Sequence, residues 1–396
     1  MMKSKMRGLI MKGLCSIVAL LAALHGGGVV DAKLVLNFDA AESDDLVLKD
    51  NFSVDDFGKS VERSGGVYSG SIRIGPDVTT LDSLSNLEVL DGNLTIANNP
   101  FLLSLAGLEN LSTVQGHKLW IFNNTNLRDL DALRRLRNVP GYLAIWNNTN
   151  LETLRLPALE TVGEDLGIGD NANLLTLELP KLSNVGRKLD IQQNGKLTSL
   201  VGLEALQSVG WYFTVWDNDN LRELDLNALT SIGRFLWIWE NDLLSEVVLG
   251  NLRTVGEDLW IFNNTNLRNI SLETVTNLGY LEIEDNPNLT LLSLPNLLQV
   301  EGYVEIENCK SLQELNLESV TDVGGDLTIQ FNPNLSSLAA GFDMLSSISG
   351  NLTIRHNPTL ASIQSLKKNL TAVGGEVKIF DNGQLRTAAS LQDLIA

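Results

Sequence analysis

The sequence predicts an all-β chain wound as a right-handed β-solenoid of about 13–14 coils, each 22–25 residues long. Three columns of residues carry that expectation. Aliphatic residues recur at Ile96, Ile121, Ile145, Ile168, Ile191, Val215, Ile238, Ile261, Ile283, Ile306, Ile329, Ile354 and Ile379. Three residues after each stands an asparagine, from Asn99 to Asn382, with Cys309 as the one exchange. Three further on, every copy has leucine, from Leu102 to Leu385.

Within a coil the pattern is L-x-I-x-x-N-x-x-L, clear in LWIFNNTNL (119–127), LWIWENDLL (236–244) and LTIQFNPNL (327–335). The alternation of L-x-I marks a short strand with Leu and Ile inward and the residues between and after them outward. The asparagine falls at the corner, where its amide can bond backbone groups of its own and neighbouring coils. The coil continues as L-x-x-L-x-L-x-x-L-x-x-V-G in 151–163 and 221–233. The closing glycines (Gly141, Gly163, Gly186, Gly210, Gly233, Gly256) are expected to supply a φ that other residues resist. One copy cannot bury its own apolar face; stacking does so.

The Asn/Cys corner after a short strand resembles leucine-rich repeats, although the next leucine here comes three residues after the Asn and not two. The cadence GNLTI…NNP (92–100), GYVEIEN (302–308), GGDLTIQFNPNL (324–335) and GNLTIRHNPTL (350–360) is similar to the receptor L-domain. The resemblance covers about residues 67–390. It implies a leucine-rich-repeat-like β-solenoid of the kind that forms the lobes of insulin- and EGF-receptor ectodomains and recurs in fungal GPI-anchored cell-wall glycoproteins.

Before the repeat, residues 1–32 read as a secretory signal. Lys3, Lys5, Arg7 and Lys12 precede the apolar run Leu14–Leu24, and the small-residue exit at Val30-Asp31-Ala32 puts cleavage after Ala32. The run of 11 residues is short of the roughly 20 that cross a bilayer. Residues 33–66 are acidic, and Val54, Phe57 and Val61 share a helical face, as expected of an N-terminal cap over the first coil. Residues 391–396 read as a short tail, with neither a hydrophobic anchor nor a spanning segment expected. Export would remove Cys15 and leave Cys309 alone, so no disulfide framework is expected. Eleven N-x-S/T triplets (Asn51, Asn93, Asn110, Asn123, Asn147, Asn263, Asn269, Asn288, Asn334, Asn351, Asn369) are glycosylation candidates. Secretion or display at the cell surface is the expected location.

A net charge of −19, from 48 acidic and 29 basic residues, argues against nucleic acid as a partner. The informative surface is the outward face of the L-x-I-x strands, which carries six of the seven tryptophans. Trp120, Phe122, Trp146, Trp216, Trp237, Trp239, Trp260 and Phe262 are the candidate ligand-binding residues, the last five forming an expected exposed aromatic shelf. Beside the shelf lies an acidic patch of Glu282, Glu284, Glu305 and Glu307, open to calcium or acid/base chemistry but read as a hydrated face without a raised-pKa acid. Cys309 is expected to be a buried corner residue. Among catalytic signatures, neither a His cluster nor a nucleophile elbow, P-loop or dinucleotide fingerprint is present, so no catalytic residue, metal or cofactor is expected. The sequence therefore points to a binding protein for an extracellular protein or glycan. A structural wall or matrix spacer and a carbohydrate-active β-helix enzyme are the alternatives, and oligomeric state is left open.

Overall fold

The structure, a computed structural model, describes residues 45–338 and 341–385. The chain divides into two units, Met1–Asp45 and Leu46–Ala396, and apart from Asp45 the described residues belong to the second. The signal segment 1–32, most of the acidic stretch before Asp45 and the 391–396 tail lie outside the described residues.

From Leu46 on, the described residues form an all-β stack of about 14 parallel coils. Each L-x-I becomes a strand of a 15-stranded parallel sheet that runs in sequence order from Leu46–Asp50 through Ile72–Asp77 and Leu94–Ala97 to Val377–Phe380. Register repeats without a slip along the columns, from Leu94 opposite Leu119 and Ile96 opposite Ile121 to Leu327 opposite Leu352 and Ile329 opposite Ile354. A second side is a 14-stranded sheet of two-residue strands, Val67–Tyr68 to Ala372–Val373, built on the V-G end of each copy. The third side is strand-like only in part, as a pair (Thr153–Arg155, Thr176–Glu178) and a five-stranded group from Glu223–Asp225 to Glu314–Asn316. The inward Leu, Ile and Val of all three sides form one continuous buried core.

The asparagine column is a hydrogen-bonded ladder. Asn194 shows the unit: its backbone N–H and its Nδ2 donate to Oδ1 of Asn218 at 3.1 and 3.3 Å, and Nδ2 also donates to the carbonyls of Ile168 and Gln192. The corner groups that the coil leaves orphaned are thus satisfied inside the protein. Cys309 fits the column, wholly buried, with its thiol pushed up to about 12 by burial. It accepts from the Asn286 backbone N–H, and its own N–H donates to Oδ1 of Asn332 at 3.0 Å.

Two backbone findings differ from the sequence reading. The glycines after Val/Ile do not supply unusual φ; among the described residues the positive-φ glycines are Gly65, Gly66, Gly107 and Gly202. They are there for space, because a Cβ at Gly186, Gly210, Gly233 or Gly256 would fall on the carbonyl oxygen of the glycine one coil before. The left-handed residues are instead the thirteen immediately before each ladder position, Asn98 to Asp381, with φ from 51 to 60°. Nine of the thirteen are Asn or Asp, the side chains that tolerate this conformation best.

At the start of the unit, Leu46–Asp50 is itself a strand of the long sheet, paired parallel with Ile72–Asp77. The stretch set apart as a cap therefore also contributes backbone to the repeat. Helix α1, Asn51–Arg63, follows, capped reciprocally by Asp50 and Ser53 and burying Val54, Phe57, Gly58 and Val61. It packs on Ser83 so closely that a Cβ at Gly58 would strike the Ser83 backbone.

Candidate functional site on the outer face of the long sheet

Outward residues of the long sheet stand in three lanes. The middle lane reads Trp120, Ala144, Gly167, Asp190, Thr214, Trp237, Trp260, Glu282 and Glu305, each opposite the next. The outer lane reads Phe122, Trp146, Gly169, Gln192, Trp216, Trp239, Phe262, Glu284 and Glu307. A third lane was not read from the sequence: the residue before each inward Leu also faces out, which adds Tyr142, Tyr212, Phe235, Asp258, Tyr280 and Tyr303. The signal that could have found it is the same period of two, extended one step back.

The rings stack along these lanes at about the 4.8 Å spacing of the strands. Trp216 stacks on Trp239 (centroids 5.2 Å, 5° between planes) and Trp239 on Phe262 (5.7 Å, 6°). Trp237 stacks on Trp260 (5.2 Å, 18°), and Tyr212 on Phe235 (4.9 Å, 16°). This corrects the expected exposed shelf. Trp237 and Trp260, flanked by the lanes on either side, are only 4% and 6% exposed, and Phe122 only 6%. Half-buried rings remain at Trp120, Trp146, Trp216, Trp239 and Phe262. Trp211 stands apart, with the Arg187 guanidinium 4.2 Å over its ring.

Trp146 differs from the stacked rings. Its indole lies across the neighbouring strand, over two glycines: a Cβ at Gly167 would lie 2.8 Å from Nε1, and one at Gly169 would strike Cζ3, Cε3 and Cη2. Around that strand stand Asp165 and Asp170, with Asp190 and Gln192 on the next coil. Asp190 accepts from Thr214 Oγ1 (2.5 Å) and Gln192 Nε2 (2.6 Å), and burial pushes its carboxyl up to about 6. Burial also raises Asp165, which sits 3.8 Å from Arg187 Nε, and Asp170.

The four glutamates adjoin the aromatic stacks as expected, with Trp260 opposite Glu282 and Phe262 opposite Glu284. Glu282 is 9% exposed and accepts from Tyr303 Oη at 2.8 Å. The patch does contain a raised acid, contrary to the sequence reading: burial, with Glu305 alongside, pushes Glu307 up to about 7 even though Gln330 Nε2 donates to it at 2.6 Å. Asp258, next to Glu282 and 2% exposed, is likewise pushed up to about 7 by burial, then by Glu257 and Glu282. Among the described residues, no group of three or more His, Cys, Asp or Glu is placed to hold a metal ion.

Most candidate glycosylation asparagines spend Nδ2 on the coil before. Asn110 donates to the Ser85 carbonyl, Asn288 to Thr265, Asn334 to Lys310 and Asn369 to Asp343. Asn123 donates to Asn98 Oδ1, Asn147 to Asn123 Oδ1 and Asn351 to Asp326 Oδ1, while Asn51 donates forward to Thr79 Oγ1. Asn93 accepts from the Lys118 N–H; Asn269 is half-buried in a strand and Asn263 is exposed.

The fold and this face define a parallel β-solenoid with an aromatic and acidic strand face. No protein-family model matches the chain, and no curated protein does. Among solved structures, the pneumococcal vaccine antigen PcpA is similar over 80% of this chain and 89% of that chain, at 10% identity and a TM-score of 0.21. A score that low carries no argument about function. No helix among the described residues is long and apolar enough to cross a membrane.

Proposed function

We propose that the protein is an extracellular or cell-surface recognition module that binds a carbohydrate or protein ligand on the outer face of its long sheet and performs no catalysis. The observation that carries this reading is the row of half-buried rings Trp146, Trp216, Trp239 and Phe262, rigidly stacked or laid on backbone. Pre-set aromatic surface binds with little loss of conformational freedom. The receptor L-domain-like cadence of the repeats and the secretory start of the sequence support it. The adjoining acids would set a preference for cationic or neutral partners over anionic ones.

A glycan array together with a panel of extracellular proteins tests this reading. Retention that is lost when Trp146, Trp216 and Trp239 are changed together to Ser supports it; retention unchanged in that variant overturns it. The second reading is a glycan-coated spacer in a wall or matrix, favoured by the mutual burial of Trp237 and Trp260. Silence on both arrays would select it. Turnover of a polysaccharide that is lost in Glu305→Gln would instead make the glutamate patch catalytic.

A further inference from the structure

We propose that the indole of Trp146, laid over Gly167 and Gly169, is a stacking subsite for a neutral pyranosyl residue with equatorial hydroxyls. This rests on the strand face being a recognition surface, and names the ligand class and the place.

The geometry separates Trp146 from every other ring on the face. Trp216, Trp239 and Phe262 cover one another face to face. Trp146 has instead a strand without side chains beside it, and the two absent Cβ atoms make the bed in which it lies. A ring lying along a sheet turns one face to the backbone and the other outward. A pyranose with equatorial hydroxyls has the complementary shape, a flat face of axial C–H bonds.

The surroundings choose the hydroxyl-rich neutral ligand over a cation. Asp165 is within 3.8 Å of Arg187, and both oxygens of Asp190 are engaged, by Thr214 and Gln192. The carboxylates of Asp165 and Asp190 are thus already engaged by protein donors and offer hydrogen-bonding oxygen rather than a free counter-charge, which suits hydroxyl donors better than an ammonium. An anionic uronate would meet three carboxyl groups.

The test uses the full chain with laminarihexaose, cellohexaose, a hexauronate and choline as probes, read by calorimetry and tryptophan fluorescence. The parent should bind a neutral hexasaccharide and neither the uronate nor choline. Trp146→Ala should lose at least tenfold in affinity. Gly169→Ala should lose a comparable amount while keeping the indole, because the three atoms nearest its Cβ all belong to the movable ring; an unchanged melting temperature shows that the fold is intact. Phe52→Ala, an exposed ring on α1 away from the strand face, should bind these hexasaccharides as the parent does. Binding that survives in both Trp146→Ala and Gly169→Ala overturns the subsite while leaving the recognition reading standing. Preference for choline or the uronate, or no response to either neutral probe, overturns the proposed ligand class. In that event protein binding on the panel, lost when Trp146, Trp216 and Trp239 are changed together to Ser, would still uphold the recognition reading.

Discussion

The backbone N–H and the side-chain amide of Asn241 both donate to one atom, Oδ1 of Asn264, at 3.1 and 3.3 Å. The same Nδ2 bonds the carbonyls of Val215 and Trp239. Three successive coils therefore meet at a single fully buried side chain.

Asn241→Ala takes Oδ1 from the Asn218 backbone N–H and Nδ2 from the Val215 carbonyl, while the Trp239 carbonyl keeps the Asp217 N–H and Asn218 Nδ2 keeps the Ile191 and Trp216 carbonyls. The expected loss is about 3 kcal/mol or more, since each buried group left unpaired costs about 1–3 kcal/mol. Denaturant unfolding of the variant against the parent measures it.

Cys309 runs the argument in reverse. Its sulfur reaches the Glu307 and Ile283 carbonyls only at 3.5 and 3.9 Å, where an Asn amide elsewhere in the column bonds at about 3.0 Å. Cys309→Asn should restore the rung and raise stability by about 1 kcal/mol. A lower melting temperature would show that this corner has contracted around the thiol.

Phe331 holds φ 57° in a column otherwise dominated by Asn and Asp. A bulky residue there costs about 1–2 kcal/mol, offset in part by its ring, stacked 4.6 Å from His356. Phe331→Asn is expected to gain about 0.5 kcal/mol in denaturant unfolding.

Asp258 and Glu307 both have folded carboxyls near 7, above the ordinary values of 3.8 and 4.5. The folded state then holds protons that the unfolded chain has released, so this stability is complete below about 4 and is lost as pH rises through 7. Melting temperature should fall between pH 4.5 and 8. Asp258→Asn should flatten the fall and melt about 2 °C or more above the parent at pH 8. A parent curve that rises over that interval would reverse the assignment.

Gly233→Ala should cost about 2 kcal/mol or more, because the new Cβ meets the Gly210 carbonyl oxygen and backbone must move. Gly195→Ala, with nothing within 4 Å of its Cβ, should change stability little. Thermal unfolding of the pair checks both.

The coil was legible because its inward Leu and Ile and its corner Asn answer to burial, which repeats with the chain. Adjacency on the face was legible too: Trp260 beside Glu282 follows from register alone. Exposure was not. Trp237 and Trp120 occupy equivalent outward positions in sequence, yet Trp237 is stacked out of sight against Trp260 whereas Trp120, opposite Ala144, is only half-buried. That difference depends on what stands one coil away, which a column-by-column reading does not weigh. The left-handed positions were hidden by the Asn-Asn doublets at 98–99, 123–124, 147–148 and 263–264, whose first member has a backbone role and whose second has the ladder.

Because each ladder asparagine offers the next coil the same donors and acceptor that it receives from the one before, the joint between coils is interchangeable. Leu236 and Leu259 are register partners 23 residues apart. Excising 236–258 would bring Leu259 to the place of Leu236 and Asn264 to the place of Asn241. The molecule can therefore change length in whole-coil steps, as a ruler loses a division without losing its scale, whereas losing a single residue between the Leu and the Asn of one coil would turn that coil's side chains to the wrong face.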